Sequence, residues 1–231
     1  MLRAIGRILL VIAAAAPAFG QPPPIPISPK PGPPGRPDRT VLIFLPQQLF
    51  SSEEFEPALR ELSLAGLPTR IASSDTGVAV SMGQVLVKLD LALRDVQVAD
   101  YAGLVLIGGS GAALNWGDSL LQARCREFAA SGRVVAASGI APITLARAGV
   151  LRGRKATVFH ERSAIGWLRE GGAKFSFREL VTDRNIITAA GAEQAHPFGE
   201  AVAAAVLSDK AKVKVKVKNS TPQPRPQPGP E

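Results

Sequence analysis

Three unbroken apolar runs constrain this chain most: Thr40-Val-Leu-Ile-Phe-Leu45, Tyr101-Ala-Gly-Leu-Val-Leu-Ile107 and Arg133-Val-Val-Ala-Ala137. Each is too short for a helix of ordinary length and shows no alternation, the pattern of strands buried on both faces. Each is followed by a turn and a helical pattern. Ser51-Ser52 can cap a helix with Glu53 and Glu54 in its first turn, and Gly66 closes it before Thr69-Arg-Ile-Ala-Ser73. A helix around residues 119–130 stops at Gly132, and Pro142 to Ala148 forms another that ends at Gly149. Residues 78–90 read as a hairpin or an excursion from the sheet, with Gly83 near its bend. A strand at Ala156–Phe159, a helix near 162–170, an antiparallel pair through Phe175–Val181 and Asn185–Ala189, and a last helix Phe198–Leu207 complete the alternation. The order predicts a doubly wound α/β domain, a mostly parallel sheet sandwiched by helices, with its site at the carboxyl ends of the strands.

Charge and proline mark the limits of that domain. The net charge of +8 divides into +2 in residues 1–20, +2 in 21–39 and +4 in 209–231, leaving 16 bases against 16 acids in residues 40–208. A basic nucleic-acid groove on the fold is therefore not expected, and neither is a specific nucleic-acid partner. Nine of the 20 prolines fall in residues 21–37 and five in 222–230.

Residues 1–20 have the order of a secretory signal: Arg3 and Arg7, the apolar run Ile8 to Ala16, then Ala18-Phe-Gly20 before Gln21. The expected product is exported, periplasmic or extracellular, begins at Gln21 and has no transmembrane helix once the signal is removed. The rival reading is an uncleaved anchor, for which the apolar run is short. Residues 21–39 read as a Pro-rich, polyproline-like linker. Residues 209–231 read as a disordered Lys/Val and Pro-rich tail, in which Lys210, Lys212, Lys214, Lys216 and Lys218 are candidate contacts for anionic envelope polymers, nucleic acid or lipid headgroups. The single Cys125 shares a helical face with Leu121 and Phe128 and reads as a core thiol, or else as a partner for a cysteine of another chain. No metal-ligand cluster, P-loop or Ser–His–Asp constellation emerges, so neither metal nor cofactor is expected.

Four segments resemble the DJ-1/PfpI family of the class I glutamine amidotransferase-like superfamily: Leu106-Ile-Gly-Gly-Ser-Gly111, Val134-Val-Ala-Ala-Ser-Gly-Ile-Ala-Pro142, Leu145-Ala-Arg-Ala-Gly-Val-Leu-Arg-Gly-Arg-Lys-Ala-Thr157 and Asn185-Ile-Ile-Thr-Ala-Ala-Gly191. The resemblance spans Thr40 to Ser208 and implies a flavodoxin-like fold, a homodimer and peptidase-, glyoxalase- or deglycase-like chemistry. In that family the strand-to-helix elbow carries a reactive Cys. Counting back from Pro142, Ala141 matches the small position, Ile140 the variable or His position, and Gly139 falls on the Cys. Glycine takes the elbow's backbone angles at little cost, so the turn is kept and the nucleophile is gone. Ser138 is the alternative nucleophile, although a one-residue step at the end of a strand is expected to turn its side chain to the other face.

The family's Glu beside the thiol corresponds to Glu53 when counted from Pro57 and to Glu54 when counted from Gly66, of which we prefer Glu54. Acids in a first turn also complement the helix dipole without any active site. Gly108 and Gly109, with Ser110 and Gly111, correspond to the oxyanion loop of the pocket or to an ordinary tight loop. His160 lies near where some relatives place a His, and reads here as a polar loop residue; His196 reads as a surface or capping residue. The expected function is that of a catalytically inactive, exported domain binding a small molecule or protein. The alternatives are a residual hydrolase or lyase using Glu54, His160 and Ser138 or water, and an envelope-associated scaffold acting through the basic tail.

Overall fold

The central strand β1 (Val41–Phe44) has all four residues buried, as its unbroken apolar run requires. A computed structural model describes residues 39–219; the signal-like segment, the Pro-rich linker and the last twelve residues lie outside them. After β1 come β2 (Gln48–Phe50) and helix α1 (Ser52–Leu64), then β3 (Thr69–Ser73), β4 (Val78–Ser81), β5 (Leu86–Lys88) and β6 (Leu91–Ala92). The middle of the chain contributes β7 (Gly103–Leu106), α2 (Ala112–Asn115), α3 (Ser119–Ala130), β8 (Val134–Ser138) and α4 (Pro142–Arg147). It closes with β9 (Lys155–Ala156), α5 (Arg162–Glu170), β10 (Lys174–Phe175), β11 (Leu180–Asp183), β12 (Ile186–Ala189) and α6 (Ala195–Asn219).

Seven strands form the main sheet in the order β11-β12-β8-β7-β1-β3-β6. All neighbours are parallel except β11, which runs antiparallel to β12. Alternate residues of the buried strands face opposite layers. Leu42, Phe44, Leu104, Leu106, Val135 and Ala137 meet Cys125 and Phe128 of α3, Ile143 of α4 and Leu168 of α5. Val41, Ile43, Val105, Val134 and Ala136 meet Phe55 and Leu62 of α1 and Phe198, Val202 and Val206 of α6. This is the doubly wound, flavodoxin-like α/β sandwich that the strand–helix alternation predicts. Cys125 is fully buried, and burial pushes its thiol up to about 12.

Three expected elements differ. The strand expected over Phe175–Val181 is split: Phe175 belongs to β10, which pairs with β9, and only Leu180–Asp183 runs antiparallel to β12. The strand expected at Ala156–Phe159 stops at Ala156, in a separate two-stranded parallel sheet with β10. Beyond it the backbone bonds elsewhere: Thr157 N–H donates to Thr188 Oγ1 (2.9 Å) and Phe159 N–H to the Gly139 carbonyl (2.8 Å). The expected disordered tail is corrected over residues 209–219, whose backbone continues α6 as helix to Asn219. A helix already anchored by Phe198, Val202 and Val206 has passed nucleation, and Lys and Ala extend it readily. Among the described residues no helix is long and apolar enough to cross a membrane.

Candidate functional site

From β1 the chain steps to β3 and β6 on one side, then returns to β7, β8 and β12 on the other. The crevice opened by that reversal lies at the carboxyl ends of β1 and β7. Gly139 follows β8 there, with φ +59°. Its N–H donates to the Ala189 carbonyl (3.0 Å) while its own carbonyl accepts from Phe159, so the left-handed bend is held from both neighbouring chains. An L-residue is strained in this conformation and glycine is not.

Helix α1 delivers the site's carboxyl. Ser51 caps the helix, its Oγ accepting from the Glu54 N–H (3.2 Å), and this sets the helical register. Glu54, Ala58 and Leu62, four residues apart, turn inward together, a spacing in the sequence that separates Glu54 from the exposed Glu53. Glu53 instead accepts from Ser51 Oγ (3.2 Å). Glu54 Oε2 accepts from Ser138 Oγ (2.5 Å) and from the Gly108 N–H (3.0 Å). A Cβ built on Gly139 would stand 3.0 Å from both Cδ and Oε2 of Glu54, and closer still to Oε1. The Glu54 carboxyl thus occupies the space into which a side chain at the elbow would project. Burial raises its pKa, against the opposing pull of the Ser138 and Gly108 donors.

Ser138 differs from the expectation that it faces away. Its Oγ and the direction of a Cβ on Gly139 converge on one carboxyl, because strand alternation ends where Gly139 leaves the extended conformation. Ser138 is nonetheless only 1% exposed. Ile140 is half-buried, packs against the core and accepts from the Trp116 indole N–H through its carbonyl (3.2 Å).

The Gly108–Gly111 loop is packed onto residues 46–51. The Gly108 carbonyl accepts from Ser51 N–H (3.1 Å), a Cβ on Gly109 (φ +99°) would lie 2.5 Å from Ser51 N, and one on Gly111 would overlap the Gln48 carbonyl. Backbone approach this close demands glycine. Ser110 is exposed at the tip. The neighbouring Leu49 takes φ +57°, a rare angle for a bulky residue, and is partly exposed; sequence reasoning did not find it, since nothing in its local pattern asks for a left-handed residue.

His160 is directed elsewhere. Its Nε2 is 3.2 Å from Thr157 Oγ1 and its Nδ1 3.3 Å from Glu179 Oε1, and its ring stands edge-on to Phe175 and Phe177. The structure therefore brings Glu54, Ser138, Gly108 and Gly139 together, while His160 pairs with Glu179. His196 pairs with Glu61 through Nδ1 (2.8 Å), tying the first turn of α6 to α1. On the opposite side of β1 and β7, Phe44, Pro46, Leu106 and Thr144 border a recess with room for little more than one water molecule. No group of three or more His, Cys, Asp or Glu side chains among the described residues is placed to hold a metal. The side chains of Lys210, Lys212, Lys214, Lys216 and Lys218 lie outside the described set. Chemically, the arrangement can hold or move a proton between a buried carboxyl and a hydroxyl.

A doubly wound sheet with a strand–helix elbow at its switch point, and an acid from the first helix set against that elbow, defines a flavodoxin-like protein of the elbow type. The sequence model of the DJ-1/PfpI family matches residues 39–205, and the chain belongs to that family. An uncharacterized protein of Methanocaldococcus jannaschii is 32% identical over 169 residues, 73% of this chain and 82% of that protein. Protein/nucleic acid deglycase 2 of Escherichia coli K12 is 30% identical over 138 residues, 59% and 79% of the two chains. The crystal structure of a ThiJ/PfpI domain protein from Brachyspira murdochii superposes with a TM-score of 0.72 at 25% identity, covering 75% of this chain and 99% of its own.

Proposed function

We propose that this chain is an exported, non-catalytic DJ-1/PfpI domain that works as a binding module for a small molecule or protein, as a homodimer. The observation that carries this reading is Gly139 at φ +59° with the Glu54 carboxyl in the place of an elbow side chain. A thiol nucleophile needs an exposed, activated sulfur, and the chain's Cys125 is buried in the core with its pKa raised.

The test is an assay of the purified protein for the deglycation named for its relatives and for the methylglyoxal consumption and peptide hydrolysis that the family resemblance implies. Turnover at the buffer background is expected. Turnover well above background that disappears in Ser138→Ala or Glu54→Gln would overturn the proposal in favour of a residual hydrolase or lyase. That second reading is favoured by one observation, the 2.5 Å hydrogen bond between Ser138 and Glu54, the geometry of a hydroxyl beside a general base. His160, held by Thr157 and Glu179, is no part of it.

A further inference from the structure

The unburied phenylalanines of the described domain are concentrated in one place. Of the nine phenylalanines, Phe44, Phe50, Phe55, Phe128 and Phe198 are buried and Phe19 lies outside the described residues. Of the remaining three, Phe159 is 53% and Phe177 77% exposed and Phe175 is half-buried; Phe175 and Phe177 meet around His160, the residue that follows Phe159. Phe175 and Phe177 meet edge to face at 4.8 Å, His160 stands edge-on to both, and the Arg169 guanidinium lies 5.4 Å from the Phe175 ring centre. Phe159 adjoins the elbow through its hydrogen bond to Gly139. The touching rings of His160, Phe175 and Phe177, with exposed Phe159 next in the chain, form an aromatic surface of the kind that binds partners.

We propose that the Phe159, His160, Phe175 and Phe177 patch is the docking site for this chain's own Pro-rich segment, residues 21–38, laid across the rings in polyproline conformation. Aromatic surfaces take such segments because the extended helix is preformed and loses little entropy on binding. Reach selects the occupant. The 18 residues before Arg39 span about 56 Å at ~3.1 Å per residue. They start at the amino end of β1, about 13 Å below its carboxyl end and four strand spacings, about 19 Å, from β11 at the patch's edge.

The C-terminal prolines do not reach. Helix α6 carries the chain to the amino end of the sheet, where Val206 touches Gly103 at the start of β7, and continues 13 residues, about 20 Å, beyond. Twelve residues follow Asn219, about 37 Å at ~3.1 Å each, set against that helical extension and the height of the sheet beyond it.

The experiment places a nitroxide at Ser28→Cys in the full chain; buried Cys125 does not compete for the label. Paramagnetic broadening of the Phe159, His160 and Phe177 amide signals is expected, and its loss in Phe177→Ala, whose ring is exposed enough to be dispensable for folding. Broadening that is absent, or that survives Phe177→Ala, overturns the proposal. So does broadening that passes from a labelled chain to an isotope-labelled, nitroxide-free one in a mixture, which would make a second copy the occupant.

Discussion

The Glu54 carboxyl lies where a side chain at Gly139 would project, so the two positions are coupled. Replacing Gly139 by Cys puts an L-residue at φ +59° and drives its Cβ against the Glu54 carboxyl. We expect Gly139→Cys to cost about 1–3 kcal/mol of stability, from the backbone angle and the contact together. The pairing with Glu54→Ala separates the two contributions. In a double-mutant cycle read by urea unfolding, Glu54→Ala should recover the share due to the contact, and additive single effects would show that carboxyl and elbow do not compete. At this scale the sequence was legible where chemistry depends on counting. Gly139 follows from its distance to Pro142, and Glu54 was preferred by counting from Gly66, a choice over Glu53 that the inward face shared with Ala58 and Leu62 decides. It was not legible where orientation depends on a remote backbone: Ser138 turns toward Glu54 because of how Gly139 bends, and His160 turns toward Glu179, which is distant in sequence.

Helix α6 shows how an element's packed part and its extension have separate causes. Phe198, Val202 and Val206 anchor it on the sheet, and Gly199 lets it lie against α1, where an added Cβ would be 2.8 Å from that of Glu61. Among the described side chains of the helix, the buried ones run from Ala195 to Val206. Truncation after Ser208 is therefore expected to leave the thermal midpoint of the domain unchanged while removing any salt-sensitive adsorption to anionic surfaces; a lowered midpoint by calorimetry would show that residues 209–231 support the fold. The unbroken apolar runs made β1, β7 and β8 readable, since strands buried on both faces have few other uses for such residues. The end of β9 was unreadable because a side chain, Thr188 Oγ1, takes the place of the next ladder partner.

For the whole molecule, the buried carboxyl makes stability a function of pH. Glu54 has its pKa raised by burial above the ordinary 4.5, so in the window above 4.5 the folded chain binds a proton that the unfolded chain has released. Stability contributed by this group is then fully present below 4.5 and is lost as pH rises through the raised folded value. Glu54→Gln keeps an acceptor for Ser138 and Gly108 and removes the titration. Urea midpoints measured from acid to neutral pH should fall for the native chain relative to the variant, and parallel curves would place an ionised, well-solvated carboxylate at the site. The class of fold was legible because the buried strands β1, β7 and β8 are each followed in the sequence by a helical pattern, the order that a doubly wound sheet requires.

The close fit of Gly139, Glu54, Ser138 and Gly108 also bears on how such a chain can change over generations. A single codon change restoring a thiol at the elbow meets a carboxyl that already holds two hydrogen-bond donors. The carboxyl must swing aside to admit it, which disturbs its bonds to Ser138 and Gly108. A return to a reactive cysteine therefore starts with a strained residue at φ +59° and a displaced acid, so the glycine acts as a ratchet.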